Sequence, residues 1–149
     1  MHSPEVLLRP ATAADFPSIR ALIRRVRINP YGLDWHRFLV AVDTDGKLLA
    51  CGQLKPHGRG VVELASIAVE ATHRGQGLAR LIIERLMAEG PRPLYLTCRS
   101  SLGPMYAKWG FREVPMSEMP RYFQRLARVM AAITGIFPVG ERLLVMVLQ

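Results

Sequence analysis

Residues 73–80 read His-Arg-Gly-Gln-Gly-Leu-Ala-Arg, between an apolar run, VVELASIAV, and a helix-like run, LARLIIERLMAEG. These residue types at this spacing suit the binding of an anion. A helix N-terminus presents unpaired N–H groups and a partial positive charge. Glycine has no Cβ, so an anion can come close to those groups. The string Arg74-Gly75-Gln76-Gly77-Leu78-Ala79 is therefore a candidate cradle for a pyrophosphate. The same glycines would also serve a tight turn that only relieves crowding, and the string alone leaves both readings open. Spacing excludes two other phosphate loops. A P-loop needs a longer spacer between its glycines and then Gly-Lys-Ser/Thr, which is absent. A dinucleotide fingerprint needs a third glycine, and Arg80 stands in its place.

Other chemistry has less support. Cys51 and Cys98 are the two cysteines, without metal or redox spacing, and no His/Asp partners mark either as a nucleophile. The four histidines, His2, His36, His57 and His73, stand alone, and no metal site is expected. The 149-residue chain suits one domain, residues 1–149. Its formal net charge of +8 attracts anions, and arginine, suited to bidentate contacts with phosphate and carboxylate, outnumbers lysine. The densest basic stretch, RALIRRVR at 20–27, reads as a solvated helix face, with a nucleic-acid patch as the lesser alternative. The N-terminal stretch lacks a signal peptide's apolar core, and no run is long enough to span a membrane. A cytoplasmic protein is the expectation. Neither nucleic acid nor a membrane is expected as a partner, and a homodimer is compatible with the sequence.

The elements that must position the glycine loop can be followed along the chain. VLLRP reads as a strand ended by Pro10. TAADFPSIRALIRRVRI reads as a helix, capped by Thr12 with Asp15 three residues on, its stripe made of Phe16, Ile19, Leu22, Ile23 and Val26. NPYG breaks it, and LDWHRF is a short helix or a loop. FLVAVDTDGKLLACGQLK reads as a hairpin turning at Asp45-Gly46. PHGRG turns into a strand over Val61–Val69, nearly all apolar or small and expected to be buried on both faces, with Glu63 and Ser66 as exceptions. A helix from Gly75 to Glu89 follows, with Leu78, Leu81, Ile82 and Leu86 on one face. PLYLTC reads as a buried strand. SSLGPMYAKWGF reads as a short helix capped by Ser100 or Ser101 with Gly110 past its end. MPRYFQRLARVMAAITG reads as a basic amphipathic helix, and RLLVMVL as a last strand. The count predicts an α+β or α/β fold of six to seven strands and about four helices around one mixed sheet.

With IAVEATHRGQGLARLIIERLM as strand, loop and helix, and MYAKWGF about thirty residues later, the chain resembles the GNAT superfamily of acetyl-CoA-dependent N-acetyltransferases. The glycine string fits that family's Gln/Arg-x-x-Gly-x-Gly/Ala pattern, and MYAKWGF its Tyr-x-x-x-Gly-Phe segment. The resemblance covers most of the chain and implies a GNAT-like, mostly antiparallel mixed sheet. It implies that the pantetheine arm of acetyl-CoA pairs with the backbone of Ile67, Ala68 and Val69. It implies that the pyrophosphate rests on the amides of Arg74, Gly75, Gln76, Gly77, Leu78 and Ala79. Arg80 would add a charge-assisted contact, unless it is a solvated surface arginine.

Acetyl transfer to an amine requires a deprotonated amine, a stabilised oxyanion and a stabilised or protonated thiolate. The resemblance makes Tyr106 the candidate general acid toward the CoA sulfur; the alternative is a ring packing beside Trp109 and Phe111. It makes Glu63, six residues before Val69, the candidate general base, directly or through water. A carboxylate in a mostly apolar strand suits that work; the alternative is a solvent-facing or arginine-paired side chain. Three positions depart from the family pattern. Arg99 stands where many members have asparagine, Ala71 where proline is frequent, and Pro104 falls in the first turn of its helix, where it is tolerated. These departures bear on the acceptor more than on CoA. Two rivals remain: a non-catalytic acyl-CoA-sensing or basic-surface module, and a membrane-surface role for the 119–135 helix.

Overall fold

The computed structural model describes residues 5–133, 135 and 137–149. His2 and Thr134, part of two of the segments read above, lie outside them. The strands pair in the order β1-β2-β3-β4-β5-β7-β6, a seven-stranded mixed sheet accompanied by four α-helices, as the sequence predicts. The chain divides into two compact units, the first drawn from Met1–Lys55 and Leu64–Gly90, the second from Pro56–Glu63 and Pro91–Gln149.

The first unit contains β1 (Leu7–Pro10), α1 (Phe16–Val26), β2 (Phe38–Val42), most of β3 (Leu48–Pro56) and of β4 (Val62–Val69), and α2 (Leu78–Glu89). β1 lies antiparallel to β2, from Leu7↔Val42 to Pro10↔Leu39, and β2 antiparallel to β3, with Phe38↔Gln53 and Val40↔Cys51. The β2–β3 turn falls at Asp45-Gly46 as expected: Gly46 has φ +80°, and Asp43 Oδ1 accepts from the amides of Asp45 and Lys47. Ile19, Leu22 and Ile23 of α1 are fully buried against Phe38, Val40, Val42, Leu48, Cys51 and Ala68. Each such side chain contributes about 1.5–3 kcal/mol when withdrawn from water.

The first helix starts later than the sequence suggests. Ala13–Asp15 form a 3-10 turn and α1 begins at Phe16. Asp15 still anchors the start: its Oδ2 accepts from the Thr12 amide at 2.7 Å and from the Thr12 hydroxyl at 3.1 Å. Arg9 grips the same carboxylate at 2.7 and 3.0 Å. The Arg9 hydrogen bonds hold the Asp15 carboxyl down at about 2, against 3.8 ordinarily. A carboxyl depressed by folding stabilises above its unfolded value and stops doing so as the pH falls through its folded value. Stability in urea should therefore drop between pH 3.8 and about 2, and Asp15→Asn should flatten that part of the profile.

α2 packs closely on β3, and Gly52 is the reason it can. A Cβ there would lie 2.6 Å from Ile67 Cδ1 and 2.6 Å from Ile82 Cγ2. The buried face of α2 is Leu78, Ile82, Ile83 and Leu86. Leu81, assigned to that face from the sequence, is instead 42% exposed, and Ile83 takes its place: at about 3.6 residues per turn the two flank the face shared by Leu78, Ile82 and Leu86 on opposite edges, and the packing of α2 decides for Ile83.

The second unit contains the start of β4, β5 (Leu94–Arg99), α3 (Gly103–Ala107), β6 (Arg112–Glu113), α4 (Arg121–Ala132) and β7 (Leu143–Leu148). β5 runs parallel to β4 at Val62↔Leu94 and Glu63↔Tyr95, and antiparallel to β7 from Leu94↔Leu148 to Arg99↔Leu143. β6 pairs with β7 at Arg112↔Val147. Phe123 of α4 is fully buried with Val114, Val145 and Val147, and Tyr95 and Tyr122 pack against them. Ser100 and Ser101 are not the helix caps expected of them. Both hydroxyls donate to Glu141, and Leu102 occupies the N-cap of α3.

Candidate active site

The glycine loop is built as an open turn. After β4, a 3-10 turn over Ala71–His73 leads to Arg74 in an extended conformation. Gly75 and Gly77 both have φ +80°, and no heavy atom lies within 4 Å of a Cβ built on either. The space relieves no crowding, and the positive φ at both positions favours glycine for the turn itself, with or without an anion. Anion-binding concavities are built from turns in which successive residues alternate in backbone handedness, and positive-φ glycines suit such turns. Gly77 is the N-cap of α2 and supplies no side-chain cap. Arg74 to Gly77 are exposed, so an anion has access. These residues fit a pyrophosphate. Arg80 is exposed, with its Nε 2.8 Å from Glu84 Oε1 one turn along the helix.

β4 does not have the two buried faces expected of it. Glu63, Leu64 and Ala68 are buried, and the other residues are half-buried. Ser66 lies at φ +60°, in left-handed territory that a non-glycine residue rarely adopts. Its hydroxyl accepts from Gln53 Nε2 at 2.9 Å, and its carbonyl lies 3.6 Å from Cys51 Sγ. These contacts hold the irregular strand from the β3 side. Ile67 to Val69 follow directly, and the ladder with β5 uses Val62 and Glu63.

In the second unit, Tyr106 of α3 is 8% exposed, with its ring 5.9 Å from Trp109 and 6.0 Å from Phe111. Burial, with a smaller effect from Cys98, pushes its phenol up to about 12. Tyr106 is therefore a proton carrier that stays protonated through the neutral range. Both readings of this residue, packing ring and proton donor, are compatible with that position.

Glu63 is neither solvent-facing nor arginine-paired. Its side chain is 9% exposed, and its Oε1 lies 2.7 Å from His57 Nε2. Its Oε2 accepts from the Thr97 hydroxyl at 3.4 Å. His57 stacks on Tyr122 of α4, with centroids 3.6 Å apart, and meets the edge of Phe123. His57, which stands alone in the sequence, has Glu63 as its partner in the fold. A usable signal was the tight turn after it: the His57 amide donates to the Val61 carbonyl at 2.8 Å, which sets residue 57 beside the start of β4. Arg99 is exposed, with its Nε 3.7 Å from Glu141 Oε2, a carboxylate that sequence reasoning did not connect to it.

The thiols lie outside this chemistry. Burial pushes Cys51 up to about 12, and burial with nearby Glu113 and Glu141 pushes Cys98 up to about 11. The native protein should therefore react very slowly with a disulfide reagent at neutral pH and release two equivalents of chromophore after unfolding. A fast native reaction would reopen the covalent route. Among the described residues no group of three or more His, Cys, Asp or Glu could hold a metal ion, and no helix is long and apolar enough to cross a membrane.

Comparison with known proteins bears on the fold and the family. No curated protein matches the sequence. Among solved structures, the chain superposes on N-acetylglutamate synthase from Neisseria gonorrhoeae, complexed with coenzyme A and N-acetyl-glutamate, with a TM-score of 0.73 at 22% identity. That match covers 99% of this chain and 36% of the synthase, so the chain spans about a third of it. The Rv2747 protein of Mycobacterium tuberculosis, in complex with CoA, gives 0.69 at 21% identity over 96% of this chain and 99% of its own. The ribosomal-protein-S18-alanine N-acetyltransferase of Escherichia coli gives 0.69 at 20% identity over 97% and 93%. At these identities the likeness establishes the fold. The family model described as Acetyltransferase (GNAT) family matches residues 8–111, from β1 through the glycine loop to the Gly-Phe segment after α3, and the chain belongs to that family of acetyl-CoA acyltransferases.

Proposed function

We propose that residues 1–149 act as a single cytoplasmic N-acetyltransferase domain that moves an acetyl group from acetyl-CoA to a primary amine, by direct transfer in a ternary complex. The observation that carries this reading is the glycine loop: two positive-φ glycines with open space above them at the uncapped start of α2. The amides of Arg74 to Ala79 would take the pyrophosphate, and Arg80 would add charge if its guanidinium left Glu84. Ile67, Ala68 and Val69 would offer backbone groups to the pantetheine arm. When bound, acetyl-CoA supplies the activated acyl group.

The remaining work belongs to the side chains. An alkylammonium titrates near about 10.4 and holds its proton at neutral pH. Glu63 would remove that proton, directly or through water. Tyr106 would donate a hydrogen bond or its proton to the departing thiolate, and its raised pKa keeps the donor loaded. The buried thiols favour direct transfer over a cysteine-bound acetyl group. The chain's positive charge favours acceptors that carry a carboxylate or phosphate.

The test is a panel of amines incubated with protein and acetyl-CoA, read by release of the CoA thiol. Amines bearing carboxylate or phosphate should lead. Binding of acetyl-CoA without thiol release from any amine would favour an acyl-CoA sensor instead.

A further inference from the structure

We infer that His57 is the positioning residue for Glu63, fixing which carboxylate oxygen faces the amine. The inference rests on the proposed role of Glu63 as base. The two side chains are 6% and 9% exposed and meet at 2.7 Å. A carboxylate that is to act as base must be ionised and can then only accept a hydrogen bond, which requires the shared proton on Nε2, with His57 donating to Oε1. Oε1 is thereby committed. Oε2 holds only a long contact, 3.4 Å to the Thr97 hydroxyl, and is the oxygen left to receive a proton.

His57 is itself held on two sides. Its amide closes the turn onto Val61, and its ring lies flat against Tyr122, with an interplanar angle of 17°, and edge-on to Phe123. The groups facing the pair are therefore Thr97 from β5 and Tyr122 and Phe123 from α4, with no second carboxylate or basic side chain among these contacts. A buried carboxylate with one hydrogen-bonded oxygen and one weakly held oxygen is oriented without being neutralised. The proton step balances simply. The ammonium N–H bond breaks, an O–H bond forms at Oε2, and the nitrogen keeps the electron pair that attacks the acyl carbon. His57 keeps its own proton throughout.

His57→Leu removes the donor and keeps an apolar neighbour for Tyr122. It should lower kcat on the order of 30-fold, leave KM for acetyl-CoA unchanged, and move the acid limb of the kcat/KM profile to higher pH. His57→Gln, whose Nε2 reaches the same place, should restore most of kcat and the wild-type limb; His57→Asn, whose amide falls short, should not. If the leucine variant does not fold, the glutamine and asparagine variants carry the comparison. In the 15N-labelled wild-type protein, His57 should show a protonated Nε2 at neutral pH, and that signal should move in Glu63→Gln. An unprotonated Nε2, an unmoved acid limb in His57→Leu, or equal rates for Gln and Asn would overturn the inference. If Glu63→Gln keeps wild-type turnover, the base assignment falls and this inference with it. If Glu63→Gln is inactive but His57→Leu is not impaired, only the role of His57 falls.

Discussion

Gly77→Asp should yield a folded protein that no longer binds acetyl-CoA. Position 77 is at φ +80° and a Cβ there meets nothing within 4 Å, so the substitution disturbs no packing. A left-handed conformation costs an ordinary L-residue about 1–2 kcal/mol, and aspartate is among the residues that tolerate it best. The thermal midpoint should therefore move little. The carboxylate would fill the space assigned to the pyrophosphate and repel it. Like charges brought together cost about 3 kcal/mol or more, which is about a hundredfold in affinity. Titration calorimetry with acetyl-CoA reads this directly. Gly77→Asn, of the same shape without the charge, separates blockage from repulsion. Retained affinity in the aspartate variant would remove the loop from the cofactor site.

Tyr106→Phe should cut turnover by about a hundredfold or more, with acetyl-CoA affinity within a factor of about two. The change deletes one oxygen and keeps the ring against Trp109 and Phe111, so the second unit should stay folded. A packing residue would show the opposite pattern, with stability little changed by the missing hydroxyl and turnover intact. The raised pKa sharpens the test. The wild-type enzyme should not lose this donor on the alkaline side until near pH 12, beyond the ordinary phenol value of 10. An alkaline limb near pH 10 that vanished in the phenylalanine variant would show a more exposed hydroxyl than the structure gives.

The parts of the fold legible in the sequence are those where one local signal decides the backbone. Asp45-Gly46 required positive φ and marked its turn. The period of Ile19, Leu22 and Ile23 marked one buried helix face. The strand-glycine-helix string gave the loop and, with MYAKWGF, the family. What was not legible depended on distant partners. β6 is two exposed residues, Arg112 and Glu113, with no pattern of their own, and exists because β7 lies beside it. Ser100 and Ser101 look like caps in the sequence, but Glu141, far along the chain, accepts from both hydroxyls. Leu81 sits at the edge of the apolar stripe, where the period alone does not decide burial, and the packing of α2 on β3 favours Ile83 instead. At the site the same division holds. The turn at Gly75 and Gly77 was readable because positive φ is a backbone property that glycine marks. For the partner of Glu63 only half of the signal is local: the turn that brings His57 back beside the start of β4 is legible, and the stacking of its ring on Tyr122 depends on distant α4.

On the proposed reading, the uncapped start of α2 would make the nucleotide part of the domain's own architecture. Serine, threonine or aspartate at a helix start can quiet its first amides; α2 begins on a glycine, and a bound anion would take up that task. A ligand that binds only the native state raises its stability by about 2.7 kcal/mol at a hundred times Kd. Resistance to heat should therefore follow the supply of CoA, acetylated or spent, so that in a starved cell the protein would be the more easily lost.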